Sequence, residues 1–145
     1  MLNAEQKIKE QFSTGFNCSQ LIVKNFAEKL NYDENLASGI ALGFGGGMGR
    51  LQETCGAVTG AFMVLGIYND KMQIMQNDKK TAAYEMVRQF NNKFLELHKS
   101  TKCSELLGVD MKTLEGQQVM KEKNLSVNVC EKCVKDSIRI LNEMI

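Results

Sequence analysis

Apolar residues along this chain recur mainly at intervals of three and four, the spacing that places side chains on one face of a helix. A first short helix is predicted from Asn3 to about Phe12, and a second begins near Asn17. The second has one continuous apolar stripe, formed by Cys18, Leu21, Ile22, Phe26 and Leu30. No alternating run of apolar and polar residues is long enough to predict a strand. The pattern therefore predicts an all-α fold, a compact bundle of five or six helices in one domain over residues 1–145.

The same spacing continues along the rest of the chain. Asp33 is placed to cap a third helix. The apolar face of this helix is predicted to contain Leu36, Ile40, Ala41 and Phe44. Further helices are predicted from about Thr81 to Lys99, from Cys103 as a turn or two, and from about Val129 to Ile145. Residues 109–128 are polar and have no clear pattern.

Five glycines lie within residues 43–50, and each glycine in a helix costs roughly 1 kcal/mol relative to alanine. This segment is therefore predicted to be a loop. The residues after it, Leu51 to Ile67, begin polar and become almost wholly apolar, which predicts a buried central helix. Gly56 and Gly60 lie four residues apart and give this helix a flat face. The face suits a neighbouring helix or a second copy of the chain, so a homodimer is one expected assembly.

Composition and charge exclude several classes of function. Lys and Arg total 18 against 17 Asp and Glu, a net charge of +1, so there is no excess of positive charge for a nucleic-acid backbone. No window approaches the roughly 18 apolar residues of a membrane span, and the N-terminal residues have no apolar leader. The chain has 0 prolines, which fits helices joined by short connections. We expect a cytoplasmic protein without a membrane span or a nucleic-acid partner.

The chain has 5 cysteines, and in a reducing cytoplasm cysteines serve metal binding, redox chemistry or core packing rather than static disulfides. Four fall in the first turn of a predicted helix, namely Cys18, Cys55, Cys103 and Cys130. A helix N-terminus has unpaired N–H groups and about half a positive charge, which lowers the pKa of a thiol. If these helix starts meet, they form a pocket suited to thiolates. If they do not, the cysteines are small buried apolar residues.

Cys133 and His98 are the remaining residues with reactive side chains. Cys133 forms a C-x-x-C pair with Cys130, but no βαβ pattern surrounds the pair, which excludes a thioredoxin-like site. It lies roughly 60° around the helix from Cys130, so it is a resolving thiol, a spare ligand or an incidental cysteine. His98 lies near the C-terminal end of the long helix, where protonation and capping are favoured. Nothing local indicates Cys-His or Ser-His-Asp catalysis.

The glycine loop lacks the Gly-Lys-Ser/Thr of a P-loop and follows no strand, which argues against a nucleotide site. Backbone N–H groups of such a loop can instead approach an anionic centre near Cys55 and tune a thiolate or a cluster sulfide. Tight helix packing is the alternative use, and the two are compatible. The residues expected around such a centre are Gly45, Gly46, Gly47, Gly49, Arg50 and Gly56.

Several segments carry a resemblance when taken together: Asn17-Cys18-Ser19-Gln20, the glycine loop, Thr54-Cys55-Gly56-Ala57-Val58-Thr59-Gly60-Ala61, and Cys103-Ser104-Glu105-Leu106-Leu107-Gly108. With a final Cys-x-x-x-Val, they resemble the C_GCAxxG_C_C family, whose members are described as redox-active. The resemblance spans nearly the whole chain. It implies that the four family cysteines correspond to Cys18, Cys55, Cys103 and, because Val134 follows it by four residues, Cys130. A register shifted by three gives Cys133 in place of Cys130.

A similar cysteine-bearing domain occurs in split-Soret cytochromes, which hold an iron–sulfur centre along with haem, so the resemblance favours a cluster. The first hypothesis is that Cys18, Cys55, Cys103 and Cys130 ligate an iron–sulfur cluster, which exchanges electrons with a redox partner protein. The second is a cofactor-free thiol–disulfide or peroxide-type protein, in which Cys55 attacks and another cysteine, such as Cys18, resolves. The third is a structural zinc or metal-carrier module.

Overall fold

The computed structural model describes residues 2–145, and every regular element among these residues is helical. Eight α-helices follow one another, with bounds α1 Ala4–Ser13, α2 Cys18–Leu30, α3 Glu34–Ala41, α4 Gly56–Asp70, α5 Gln76–His98, α6 Cys103–Leu107, α7 Leu114–Glu122 and α8 Lys132–Met144. A 3-10 turn, Leu42–Phe44, runs into a glycine turn, Gly45–Met48, and a π-helix, Ser126–Glu131, lies directly before α8. The predicted all-α fold is confirmed. Over residues 2–145, none of the helices has both the length and the apolar character needed to cross a membrane.

The first helices begin at the residues that the sequence indicates. Asn3 and Asn17 each form a capping box with the glutamine three residues later, and the Asp33 carboxylate accepts two backbone N–H groups of α3. The described residues contain more helices than the five or six predicted. One reason is that Thr113 caps a further helix, α7, within the segment that has no clear pattern.

The centre of the core is the contact between α2 and α4. A Cβ atom on Gly60 would lie 2.8 Å from the carbonyl oxygen of Ser19, and one on Gly56 would lie 3.0 Å from the Ser19 nitrogen. Only glycine allows the two backbones to approach so closely. The predicted flat face of α4 therefore packs against α2 inside the molecule, and a homodimer, which stays a prediction, would need another surface.

The predicted apolar face of α3 is correct at Ala41 but wrong at Leu36 and Ile40. Leu36 is 64% exposed and Ile40 is 60% exposed, whereas Ala37 and Ala41 are buried. The side chain of Gln20 on α2 donates hydrogen bonds to the carbonyl and hydroxyl oxygens of Ser38 on the same inward face. Because α3 packs on α2 through small residues, its larger apolar side chains point away from the core.

Candidate functional site: a cavity lined by five cysteines

One cavity of about 630 Å³ lies at the end of the bundle where α2, α4 and α6 begin. All 5 cysteines line it, and all are free thiols. Every residue expected around an anionic centre lines it as well, namely Gly45, Gly46, Gly47, Gly49, Arg50 and Gly56. The fold therefore brings the cysteines and the glycine turn into one enclosure, although they are far apart in the sequence.

Cys18 is placed by the start of α2. The side-chain oxygen of Asn17 accepts a hydrogen bond of 3.0 Å from the Gln20 backbone nitrogen, and the Gln20 side chain accepts one of 3.1 Å in return. The side-chain nitrogen of Asn17 also donates to the Leu42 carbonyl oxygen at 2.9 Å, which ties α2 to the turn before the glycines. Cys18, the first residue of α2, therefore enters the cavity beside that turn.

Cys55 and Cys103 are brought together by a short antiparallel bridge. The backbone nitrogen of Cys55 donates to the Thr101 carbonyl at 2.7 Å, and that of Cys103 donates to the Glu53 carbonyl at 2.6 Å. Cys55 is the N-cap residue of α4, and Cys103 is the first residue of α6. The bridge thus places the starts of two helices side by side at the cavity.

The glycine turn leads the chain from α3 into this bridge. Gly46, Gly47 and Gly49 have φ values of 66°, 68° and 62°, which lie in the left-handed region that glycine adopts without strain. Backbone nitrogens of Gln52 and Glu53 donate to the Gly46 and Gly47 carbonyls at 3.1 and 3.0 Å. The predicted loop is confirmed, and part of its backbone serves to fold the turn on itself.

Cys130 does not lie at a helix start, which corrects the sequence prediction. It lies in the π-helix, which continues without a break into α8. An extra residue in a helical turn shifts the side chains around the axis, and such π-segments occur frequently at functional sites. Both Cys130 and Cys133 line the cavity, so the fold does not separate a site cysteine from an incidental one.

Four of the thiols influence one another's pKa in two pairs, Cys55 with Cys133 and Cys18 with Cys130. The thiol of Cys133 donates to Cys55, which lowers the pKa of Cys55, and the backbone N–H groups of Ala57 and Val58 lower it further against the opposing effect of burial. The same hydrogen bond, together with burial, raises the pKa of Cys133. The thiol of Cys18 donates to Cys130, so the pKa of Cys130 is lowered and that of Cys18 is raised. Each pair therefore favours one thiolate and one thiol.

Cys103 has no thiol partner of this kind. The polar side chain beside it is that of Gln52. Burial raises the pKa of Cys103 to about 12, and the Gln52 side chain opposes this with a hydrogen bond. Gln52 also donates to the Val109 carbonyl at 2.8 Å and accepts from the Met111 nitrogen at 2.9 Å. Sequence reasoning missed Gln52, and its only signal was a polar residue between the glycine loop and an apolar helix.

The difference between Cys55 and Cys103 predicts an order of alkylation. Each side chain is 7% exposed, so a small reagent has similar access to both. The pKa of Cys55 is lowered, whereas that of Cys103 is raised to about 12, so at pH 8 a larger fraction of Cys55 is the nucleophilic thiolate. We expect iodoacetamide to label Cys55 before Cys103 in the reduced, metal-free protein, and we expect the difference between the two rates to narrow as the pH is raised towards 12. Peptide mass spectrometry measures both rates, and faster labelling of Cys103 at pH 8 would contradict the assignment.

His98 lies behind the cavity and not in the capping role that its position predicts. Its Nε2 lies 2.8 Å from an Asp136 carboxylate oxygen, and its Nδ1 lies 3.9 Å from the Cys133 sulfur. The ring stacks on Phe94 with 4.5 Å between centroids. A Cys-His-Asp arrangement therefore exists, although its members come from two helices and no local sequence pattern indicates it.

The spacing of the side chains bears on the metals that could bind. Within residues 2–145, no group of three or more His, Cys, Asp or Glu side chains is arranged to hold one metal ion. Both a zinc ion and an iron–sulfur cluster take cysteine thiolates as ligands. The five thiols that line the cavity are therefore the ligands available to either.

The fold and the site together are those of a small all-helical protein in which cysteine thiols and a glycine turn surround one cavity. Residues 16–144 match the family model described as "Putative redox-active protein (C_GCAxxG_C_C)". Since this match covers most of the chain, the protein belongs to the C_GCAxxG_C_C family of redox-active proteins. No curated protein and no solved structure matches the chain significantly.

Proposed function

We propose that this protein transfers single electrons through an iron–sulfur cluster held in the cysteine cavity. The observation that carries the proposal is the cavity itself, because a close-packed core would leave no open volume of about 630 Å³ with five free thiols in its lining. Thiolates select iron–sulfur centres or zinc over magnesium and calcium. Membership of a redox-active family supports the same conclusion.

The residues that would hold the cluster are Cys18, Cys55, Cys103 and one of the two cysteines near the start of α8, Cys130 or Cys133. When bound, the cluster would supply a centre that gains and loses one electron. The chain contributes the tuning, because Cys55 is the N-cap residue of α4 and the backbone at the start of this helix lowers its pKa. The glycine turn and Arg50 line the same cavity and limit access to it.

The paired thiols favour a second candidate, a cofactor-free dithiol site. Cys55 is poised as a thiolate against the thiol of Cys133, and Cys130 against that of Cys18. Formation of a Cys55–Cys133 disulfide would release two electrons and one proton, which a peroxide or a partner disulfide would accept. In this candidate Cys133, rather than Cys18, is the cysteine beside Cys55.

The two candidates make opposite predictions for protein purified without oxygen. The cluster predicts brown protein with broad visible absorption, iron, and a comparable amount of acid-labile sulfide. Colourless protein without iron, which loses two thiols per disulfide formed when titrated with a mild oxidant, would contradict the cluster and support the dithiol site. Zinc in stoichiometric amount without sulfide would contradict both. Each result follows from one visible spectrum with metal, sulfide and thiol analysis.

A further inference from the structure

The two cysteines near α8 are held very differently. Cys130 lies in the π-helix and is half-buried, whereas Cys133 lies inside α8 and is 1% exposed. Cys130 has a hydrogen bond to one group, the thiol of Cys18. Cys133 has contacts on two sides, with the Cys55 sulfur on one and the His98 ring on the other.

The orientation of His98 is set by Asp136. As a carboxylate, Asp136 can only accept hydrogen bonds, and it also receives Lys132 at 3.1 Å and Arg139 at 3.4 Å. The imidazole nitrogen that faces it at 2.8 Å, Nε2, must therefore carry a proton. In the neutral ring the other nitrogen, Nδ1, is then an acceptor and faces the thiol of Cys133 at 3.9 Å.

Packing leaves this array little freedom. The His98 ring stacks on Phe94, which is 0% exposed and belongs to the core. The side chains of His98 and Asp136 are only 10% and 12% exposed. A polar array that is buried and hydrogen-bonded on each side holds its members in one arrangement. His98 does not serve as the C-cap of α5, because that residue is Lys99.

We propose that Cys133 is a working thiol of the site, and that His98, oriented by Asp136, is the positioning residue that holds the Cys133 sulfur against Cys55. The inference rests on the proposed redox function of the cavity and deepens it, because it chooses Cys133 over Cys130 as the thiol that acts together with Cys55. Cys130 is left to act with Cys18.

The first test uses the only histidine of the chain, whose ring signals in a ¹⁵N-labelled protein need no assignment. In reduced, metal-free protein we expect the Nε2 nitrogen, which faces Asp136 at 2.8 Å, to carry a proton. Cys133→Ala should shift the Nδ1 resonance, whereas the control Cys130→Ala should leave it in place. An Nδ1 chemical shift that is unchanged by Cys133→Ala, or a proton on Nδ1 instead of Nε2, would overturn the inference.

The second test measures how fast each pair of thiols forms a disulfide. The Cys18–Cys130 pair serves as the internal control for the Cys55–Cys133 pair. Diamide takes two electrons and two protons from each pair of thiols, becomes a hydrazine and leaves a disulfide, which peptide mass spectrometry identifies. We expect His98→Leu to slow formation of the Cys55–Cys133 disulfide about tenfold, because misplacing a reacting group by about 1 Å can cost more than that. The rate for Cys18–Cys130 should not change. His98→Asn, whose amide can take the place of Nδ1, should recover part of the rate.

Equal slowing of both pairs would indicate general damage to the fold, and no slowing of either would show that His98 does not position Cys133. Both results contradict the inference. Because both tests use metal-free protein, they are independent of whether iron binds. Iron-free purified protein would contradict the cluster alone, and an unresponsive His98 would contradict the positioning role alone.

Discussion

A Cys55→Ser variant is expected to retain almost none of the iron that the proposed cluster would give the wild-type protein after anaerobic purification. Cys55 lines the cavity at the start of α4, and both the neighbouring Cys133 thiol and the backbone of this helix start lower its pKa. Soft metal centres select thiolates, for which a hydroxyl is a poor substitute. Serine is also a favoured N-cap residue, so α4 should still begin at the same place. Iron and sulfide analysis, with far-UV circular dichroism as the check on folding, measures the effect.

Cys103→Ser is the matched variant for this experiment. Cys103 is as exposed as Cys55, at 7%, and also stands at a helix start, but it has no thiol partner. A cluster predicts that both variants lose iron. A dithiol site predicts that Cys55→Ser abolishes the Cys55–Cys133 disulfide while Cys103→Ser leaves it intact. A Cys55→Ser protein that kept both its iron and its disulfide chemistry would remove Cys55 from the mechanism.

Gly47→Ala is expected to destabilise the protein by about 2–4 kcal/mol, the sum of left-handed backbone strain and overpacking. A Cβ atom at this position would lie 2.7 Å from the Cys103 Cβ and 2.7 Å from the Gln52 Cα. Real Cβ atoms do not approach other atoms so closely, so the backbone next to the bridge must move. The free energy of unfolding from urea titration measures the loss, and the position of Cys103 in the cavity should change with it.

Gly49→Ala is the control variant that separates the cost of left-handed backbone strain from the cost of steric overlap. Gly49 has nearly the same backbone conformation, with φ 62° against 68° for Gly47, but the nearest atom to its added Cβ is 4.0 Å away. We expect it to cost only about 1 kcal/mol, the strain alone. Equal costs for the two variants would show that the close packing of Gly47 against Cys103 contributes nothing to stability.

Local signals predicted the starts of the first three helices well, whereas the central helix begins at Gly56 rather than Leu51 and the long helix at Gln76 rather than Thr81. Asn3, Asn17 and Asp33 cap the first three helices because their side chains satisfy backbone N–H groups within three residues. Gly46 and Gly47 leave the helical conformation because glycine allows it. Interactions confined to a few neighbouring residues are contained in the sequence itself, so a pattern can predict them.

Leu36 and Ile40 were wrongly predicted to lie on the buried face of α3, for the opposite reason. Helical spacing places Leu36 and Ile40 on one side of the helix, but it does not say which side meets the core. That choice depends on how closely α2 approaches, and Ala37 and Ala41 allow the closer contact. The prediction that Cys130 lies at a helix start was wrong for a similar reason. The π-helix that contains Cys130 depends on packing, and no local sequence pattern predicts it.

By itself, the sequence determined an all-helical chain, a glycine loop, the starts of α2 and α6 at Cys18 and Cys103, and membership of a redox-active family. Only the tertiary structure decided that all five cysteines share one cavity, that Cys133 lies between Cys55 and His98, and that Gln52 lies beside Cys103. The physical reason is separation along the chain. These contacts join residues that lie tens of residues apart, and only the packing of whole helices brings them together.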